Sequence, residues 1–153
     1  MAVKLKELYS KLYPKYGVKL CSKSCFEKTI SWMHILEDIE FVSLLRGGEI
    51  ILKSEYETDE WLKGYIDLLD EANAGGLIVA LRPGHVFSQE IIEHCNRKDF
   101  PLFSAKWNIS YMDIMHLMSS ELIKNEQKEK NQISALKNAI NDPGVNGKIN
   151  MYI

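Results

Sequence analysis

Apolar residues near the start of the chain recur at steps of three and four. Leu5, Leu8, Tyr9 and Leu12 define one face of a helix from Val3 to Tyr13, which Pro14 and Gly17 should end. Val18 to Cys21 reads as a short strand and Ser22 to Lys28 as a polar loop. Thr29 to Leu36 reads as a second strand with Ile30, Trp32 and His34 on one face. Asp38 to Leu45 can form a short helix ending at Gly47. Beyond that turn the pattern becomes a strict alternation of elements. Glu49 to Leu52 is a compact strand. Thr58 is a natural helix N-cap followed by Asp59 and Glu60, and Leu62, Tyr65, Ile66, Leu69 and Ala72 share the face of the helix it starts. After Gly75-Gly76, the run Leu77 to Leu81 is continuously apolar, as in a strand covered on both faces. Ser88 caps a helix through Asn96, and Pro101 to Ala105 is a further strand.

Strand, helix, strand, helix, strand in tandem predicts an α/β fold: a single domain with a largely parallel sheet flanked by helices. A long C-terminal helix follows from Ser110, with Asp113 three positions on and Tyr111, Ile114, Met115, Met118 and Leu122 on one face. Its methionines, Met112, Met115 and Met118, suit either cover for the sheet or an adaptable partner groove, with cover favoured. The chain turns polar from Asn125 to Gln132, then Ile133, Leu136 and Ile140 return at helical spacing before Asp142-Pro143-Gly144 breaks the helix. We therefore expect a body at residues 1–124 and, at 125–153, a helical extension with a loosely ordered tail.

At 153 residues the chain is long enough to bury a substantial single core. A net charge of -2 provides no electrostatic footprint for DNA. Charges interrupt the apolar residues of the first segment, so neither a signal peptide nor a membrane span is expected there, and three sparse cysteines suit a reducing, cytoplasmic setting. Cys21 and Cys25, joined by His34 and one of His85, His94 or Cys95, make a zinc set on paper. The second closely spaced pair of a zinc motif is missing, and packed thiols are the favoured reading. No nucleophile elbow, phosphate loop or dinucleotide fingerprint occurs, so we expect no catalysis and no cofactor.

One arrangement of residues is sharper. Ligands of open parallel sheets bind beyond the carboxyl ends of the strands. Three predicted strand exits carry basic or polar residues: Lys53-Ser54, then Arg82 to His85, then Lys106-Trp107. Were these loops to share one rim, Lys53, Ser54, Arg82, His85, Lys106 and Trp107 would form a ligand site, its cations converging on an anion with help from the helix starts at Thr58 and Ser88. Gly47 and Gly48 have a structural task whatever the function: they permit positive φ and close backbone approach where helix reverses into strand.

The ordered motifs point further. Trp32-Met33-His34, the acidic Glu37-Asp38, Leu45-Arg46-Gly47-Gly48-Glu49 with the strand after it, Ala74-Gly75-Gly76-Leu77, and Phe100-Pro101-Leu102 followed by Trp107 occur in that order. From about Val18 to Leu122 the chain thereby resembles the amino-terminal domain of PucR-type transcriptional regulators, named for purine-catabolism control. The resemblance implies a signal-input domain for a small-molecule effector, anionic or purine-related, with the DNA reader in a helix-turn-helix domain absent from these residues. It implies too that the helix from Ser110 to Ile140 connects to the next domain, and that this helix can pair two copies as a homodimer. A dimerisation or interaction module without a ligand is the alternative. Where family members often continue with Thr-Thr-Gly, this chain has Lys53-Ser54-Glu55, a difference that adds a preference for negative charge if that loop meets the effector.

Overall fold

The computed structural model describes residues 2–24 and 26–141, with side chains as far as 136. The elements in order are β1 (Val3–Lys4), α1 (Leu5–Tyr16), β2 (Lys19–Leu20), β3 (Thr29–Ile30), β4 (Trp32–Ile35), a 3-10 turn (Ile39–Leu44), β5 (Glu49–Lys53), α2 (Asp59–Glu71), β6 (Gly76–Leu81), α3 (Gln89–Lys98), β7 (Leu102–Lys106) and α4 (Tyr111–Asn141). Five strands form one sheet in the order β2-β7-β6-β5-β4, parallel except for the β2 edge, and β1 pairs with β3 in a separate antiparallel ribbon. The predicted α/β class and largely parallel sheet are what the chain adopts.

Strand alternation divides the core into two layers. Ile50, Leu52, Ile78, Phe103 and Ala105 face α1 and α4, meeting Leu8, Leu12, Ile114, Met118 and Leu122. Ile51, Leu77, Val79 and Leu102 face the other way, onto Leu62, Tyr65, Ile66, Leu69 and Ile91 of α2 and α3. Coverage on both sides explains the uninterrupted apolar runs of the central strands, since neither face can carry polar residues. The two N-caps work as the residue types suggest: Thr58 Oγ1 accepts from Trp61 N at 3.1 Å, and Ser88 Oγ from Ile91 N at 3.2 Å.

Three local expectations are corrected. The first helix runs through Pro14 to Tyr16 and is closed by Gly17 in the left-handed region, whose N–H reaches Tyr13 O. Thr29 to Leu36 is not one strand. The chain breaks at Ser31, whose N–H donates to Gly48 O, so Ile30 points into the core while Trp32 and His34 face outward and Met33 is buried instead. Of the α4 methionines, Met118 is buried and Met115 packs against the core, but Met112 is exposed, a turn of the helix away from the sheet. The Gly47-Gly48 reversal is as expected, both glycines having positive φ (107° and 82°). Glu49 is folded back beneath the turn, accepting from Arg46 N and Gly47 N.

α4 packs on the body through its first half, where buried Glu121 accepts from Lys11 Nζ at 2.6 Å and Asn125 Nδ2 donates to Ala2 O. Every described side chain from Gln127 on is exposed. The expected loose tail, Asp142 onward, lies outside the described residues, as does Cys25 of the paper zinc set. Among the described residues no three His, Cys, Asp or Glu side chains gather as a metal would need, and no helix is long and apolar enough to cross a membrane.

Candidate functional site at the carboxyl rim

Because β5, β6 and β7 are parallel neighbours, their exits open on one rim, with Lys53 in register with Val79 and Leu81 with Lys106. The α2 and α3 starts are tied together there by a hydrogen bond from Ser88 Oγ to Asp59 Oδ2 at 2.7 Å. Between the β5 exit and the first turn of α2 lies a recess of about 330 Å³ lined by Lys53, Glu55, Tyr56, Glu57, Thr58 and Trp61. A broader, shallower hollow of about 870 Å³ shares Glu55, Tyr56 and Glu57 with it and extends to Ser54, Arg82 and His85. Lys53 thus lines the inner recess and Ser54, Arg82 and His85 the outer hollow. Lys106 and Trp107 line neither, and Trp107 is 60% exposed.

Three of these basic residues already face a carboxylate. Arg82 Nε lies 2.6 Å from Glu55 Oε2, and His85 Nδ1 lies 3.6 Å from Glu55 Oε1. Lys53 is only 5% exposed, and its ammonium lies 3.3 Å from Glu37 Oε2 and 4.7 Å above the centre of the Trp61 ring. Glu37 also accepts from Ser54 N at 2.8 Å and Ser54 Oγ at 2.7 Å. Burial alone would raise the Glu37 carboxyl; the Ser54 hydrogen bonds and the Lys53 charge outweigh it and hold the group below its ordinary range. A buried ammonium survives because a carboxylate and two aromatic faces replace its water.

Two phenols complete the rim. Tyr65 Oη donates to Leu36 O, fixing the segment that presents Glu37, and Tyr111 Oη donates to Lys53 O. The second bond joins the recess residue to the first residue of α4. Burial pushes both phenols well above their usual pKa, so both stay protonated donors.

Away from the rim, His94 Nε2 and Lys98 Nζ converge on Asp67 Oδ1 at 2.7 and 3.1 Å and strap α3 to α2. No recess adjoins this pair among those described. Cys95 next to it points into the core, where burial pushes its thiol up to about 12, leaving no thiolate at neutral pH.

Glu37, Glu55, Tyr56, Glu57, Trp61 and Tyr111 escaped the sequence reading. A signal existed for the acids: Glu37 and Glu55 each stand two residues beyond the end of a strand, as close to the rim as the cations singled out.

The model of the purine catabolism regulatory protein-like family, PucR, matches residues 16–122. The chain belongs to this family. The match spans every element from β2 to the packed half of α4, and so contains the whole rim. A comparison with curated proteins finds no match. Among solved structures, the chain is similar to the CBS and DRTGG domains of the regulatory region of Clostridium perfringens pyrophosphatase, a structure complexed with the activator diadenosine tetraphosphate. The identity is 15% and the TM-score 0.50, over 74% of this chain and 45% of that one. At that identity the likeness is one of fold, and the chain spans less than half of that structure.

Proposed function

We propose that this PucR-family chain is a signal-input domain without catalysis of its own: a small molecule docks at the carboxyl rim and its binding biases α4, which leads toward a DNA-binding segment beyond these residues. Residues 1–124 are the sensing body and the remainder of α4 the connector. The observation that carries this reading is the Tyr111–Lys53 hydrogen bond. A ligand acts on an equilibrium only by binding its two states unequally. A molecule that shifts Lys53 therefore changes a contact on which the start of α4 depends. The fold neighbour, a regulatory region with a nucleotide activator, supports a regulatory setting for the same architecture.

The cations proposed from the sequence keep their place in this reading, with a modified task. Lys53, Ser54, Arg82 and His85 shape and polarise the site, while Lys106 and Trp107 flank it. The test is a metabolite screen that includes purine-related, anionic and neutral nitrogen-rich compounds, read by thermal unfolding and by amide exchange along α4. A binder should raise the unfolding temperature and change exchange near Tyr111. In Tyr111→Phe the binding should persist while the change in α4 fades. Absence of any rim binder across the screen would refute the reading.

A second reading has its own observation. Ile133 and Leu136 are exposed on α4, in a stretch with no packing onto the body among the described residues. They favour pairing of this helix with another copy, which sedimentation equilibrium of the wild type and Leu136→Glu would reveal.

A further inference from the structure

The inner recess is lined by residues of both charge signs. Lys53 lines it although it is buried. An ammonium has three N–H donors, and Glu37 supplies two acceptors at long range, its carboxylate at 3.3 Å and its backbone carbonyl at 3.5 Å. The Trp61 and Tyr65 rings lie beside the same ammonium, 4.7 and 5.9 Å from it to their centres. Glu55 and Glu57 line the same recess. Glu55 is 30% exposed and shared with Arg82 and His85; Glu57 is exposed and makes no ion pair among the described residues. Tyr56 and Trp61 add aromatic surface to its lining, and Tyr56 is braced by stacking on Phe87 at 6.1 Å.

A simple anion drawn to Lys53 meets two carboxylates lining the same recess. A simple cation drawn to the carboxylates meets a buried ammonium. A like charge beside the buried Lys53 ammonium costs more than it does in water. We infer that the Lys53–Trp61 recess takes a small zwitterion, its carboxylate toward Lys53 and its ammonium toward Glu57 and Glu55, as an amino acid would present them. This deepens the signal-input reading and rests on it; the ligand class is new. The volume of about 330 Å³ suits a molecule of that size. Entry of an ammonium would also compete with Arg82 for Glu55, loosening the β6 exit from the β5 exit.

The test is titration of the full chain with each common L-amino acid, followed by the Trp61 indole resonance. Each responder is then compared with its N-acetyl form and its carboxamide, which delete one charge apiece. At least one amino acid should shift Trp61 and stabilise the fold, and each blocked form should bind about tenfold or more weakly. Glu57→Gln, an exposed change that leaves the core untouched, should weaken the responder by a similar factor, and Lys53→Met should do so through the opposite charge. Blocked forms binding as well as their parents would overturn the zwitterion assignment. So would a shift of Trp61 by monoanions or nucleotides and by no amino acid, although the signal-input reading would stand. No perturbation of the rim by any compound would remove both.

Discussion

Removing the carboxylate from Glu37 should expose how the rim is built. Lys53 Nζ lies 3.3 Å from Glu37 Oε2, and at an effective dielectric of ~20 two unit charges at that distance attract by roughly 5 kcal/mol. Glu37 is 44% exposed, so water screens much of this, and about 2 kcal/mol is the expected net loss in Glu37→Gln. The substitution leaves a buried ammonium, 5% exposed, without a counter-charge. Lys53→Met, by contrast, places an apolar stem against Trp61 and Tyr65 and should cost within about 1 kcal/mol, because it removes the charge that needed the partner. In the Lys53→Met background Glu37→Gln should cost only about 1 kcal/mol, from the weakened Ser54 hydrogen bonds. The cycle thus predicts a coupling of about 1 kcal/mol, read by urea unfolding at pH 7 as parallel shifts in midpoint at constant slope. pH provides an internal check. Glu37 has its carboxyl held below the ordinary 4.5, so its contribution is present above that value and disappears as pH falls through the lower, folded pKa. The coupling should therefore vanish in acid. Equal costs of Glu37→Gln in the two backgrounds, within about 0.5 kcal/mol, would refute the claim that this pair is what keeps Lys53 buried.

Other outcomes follow from single contacts. Gly48→Ala should destabilise by about 2 kcal/mol or more: left-handed backbone strain of ~1–2 kcal/mol is joined by a Cβ placed 3.0 Å from Ser31 Oγ and 3.3 Å from Thr29 O. Gly17→Ala meets nothing within 4 Å and should show the strain alone, so equal losses in thermal unfolding would contradict the close approach. Cys95 should resist alkylation in the native protein at neutral pH and react only on unfolding, whereas the half-exposed Cys21 should react first; peptide mapping by mass spectrometry distinguishes them. Asp67→Asn should lower stability at neutral pH by about 1 kcal/mol and converge with wild type in acid, where the low-pKa carboxyl is protonated in both states.

Central strands covered on both faces and helices with a long apolar face were legible in the sequence; the two-residue strands β1 and β3 and the facing of the edge strand β4 were not. Leu77 to Leu81 announces a central strand because both its faces need apolar residues, and Thr58 and Ser88 announce helix starts through a local side-chain bond that composition alone can indicate. The two-residue β1 and β3 carry no periodicity to detect, and their pairing depends on contacts between Val3 and Ile30, far apart in the chain. Edge placement of β4 reversed its apparent face: bulk at Trp32 resembles a core residue, yet the outer side of an edge strand has nothing beside it to pack on.

The rim shows the same division more sharply. Parallel order brings Lys53 and Arg82 to one edge, and that much follows from strand alternation. Their electrostatic state does not, because Glu37 meets Lys53 across 16 residues and Glu55 meets Arg82 across 27, separations that no local pattern encodes. A count of cations at the strand exits therefore suggests an anion site, whereas in the folded rim Lys53 and Arg82 are paired with carboxylates and the recess is also lined by Glu57, which makes no ion pair among the described residues. Compensation is what the zwitterion proposal rests on: an uncompensated cluster of lysine and arginine would accept any phosphate or carboxylate, whereas a recess lined by Lys53 and by carboxylates would favour a ligand carrying both charges. Under that proposal Tyr111 would provide a route outward, since its phenol holds the backbone carbonyl of Lys53.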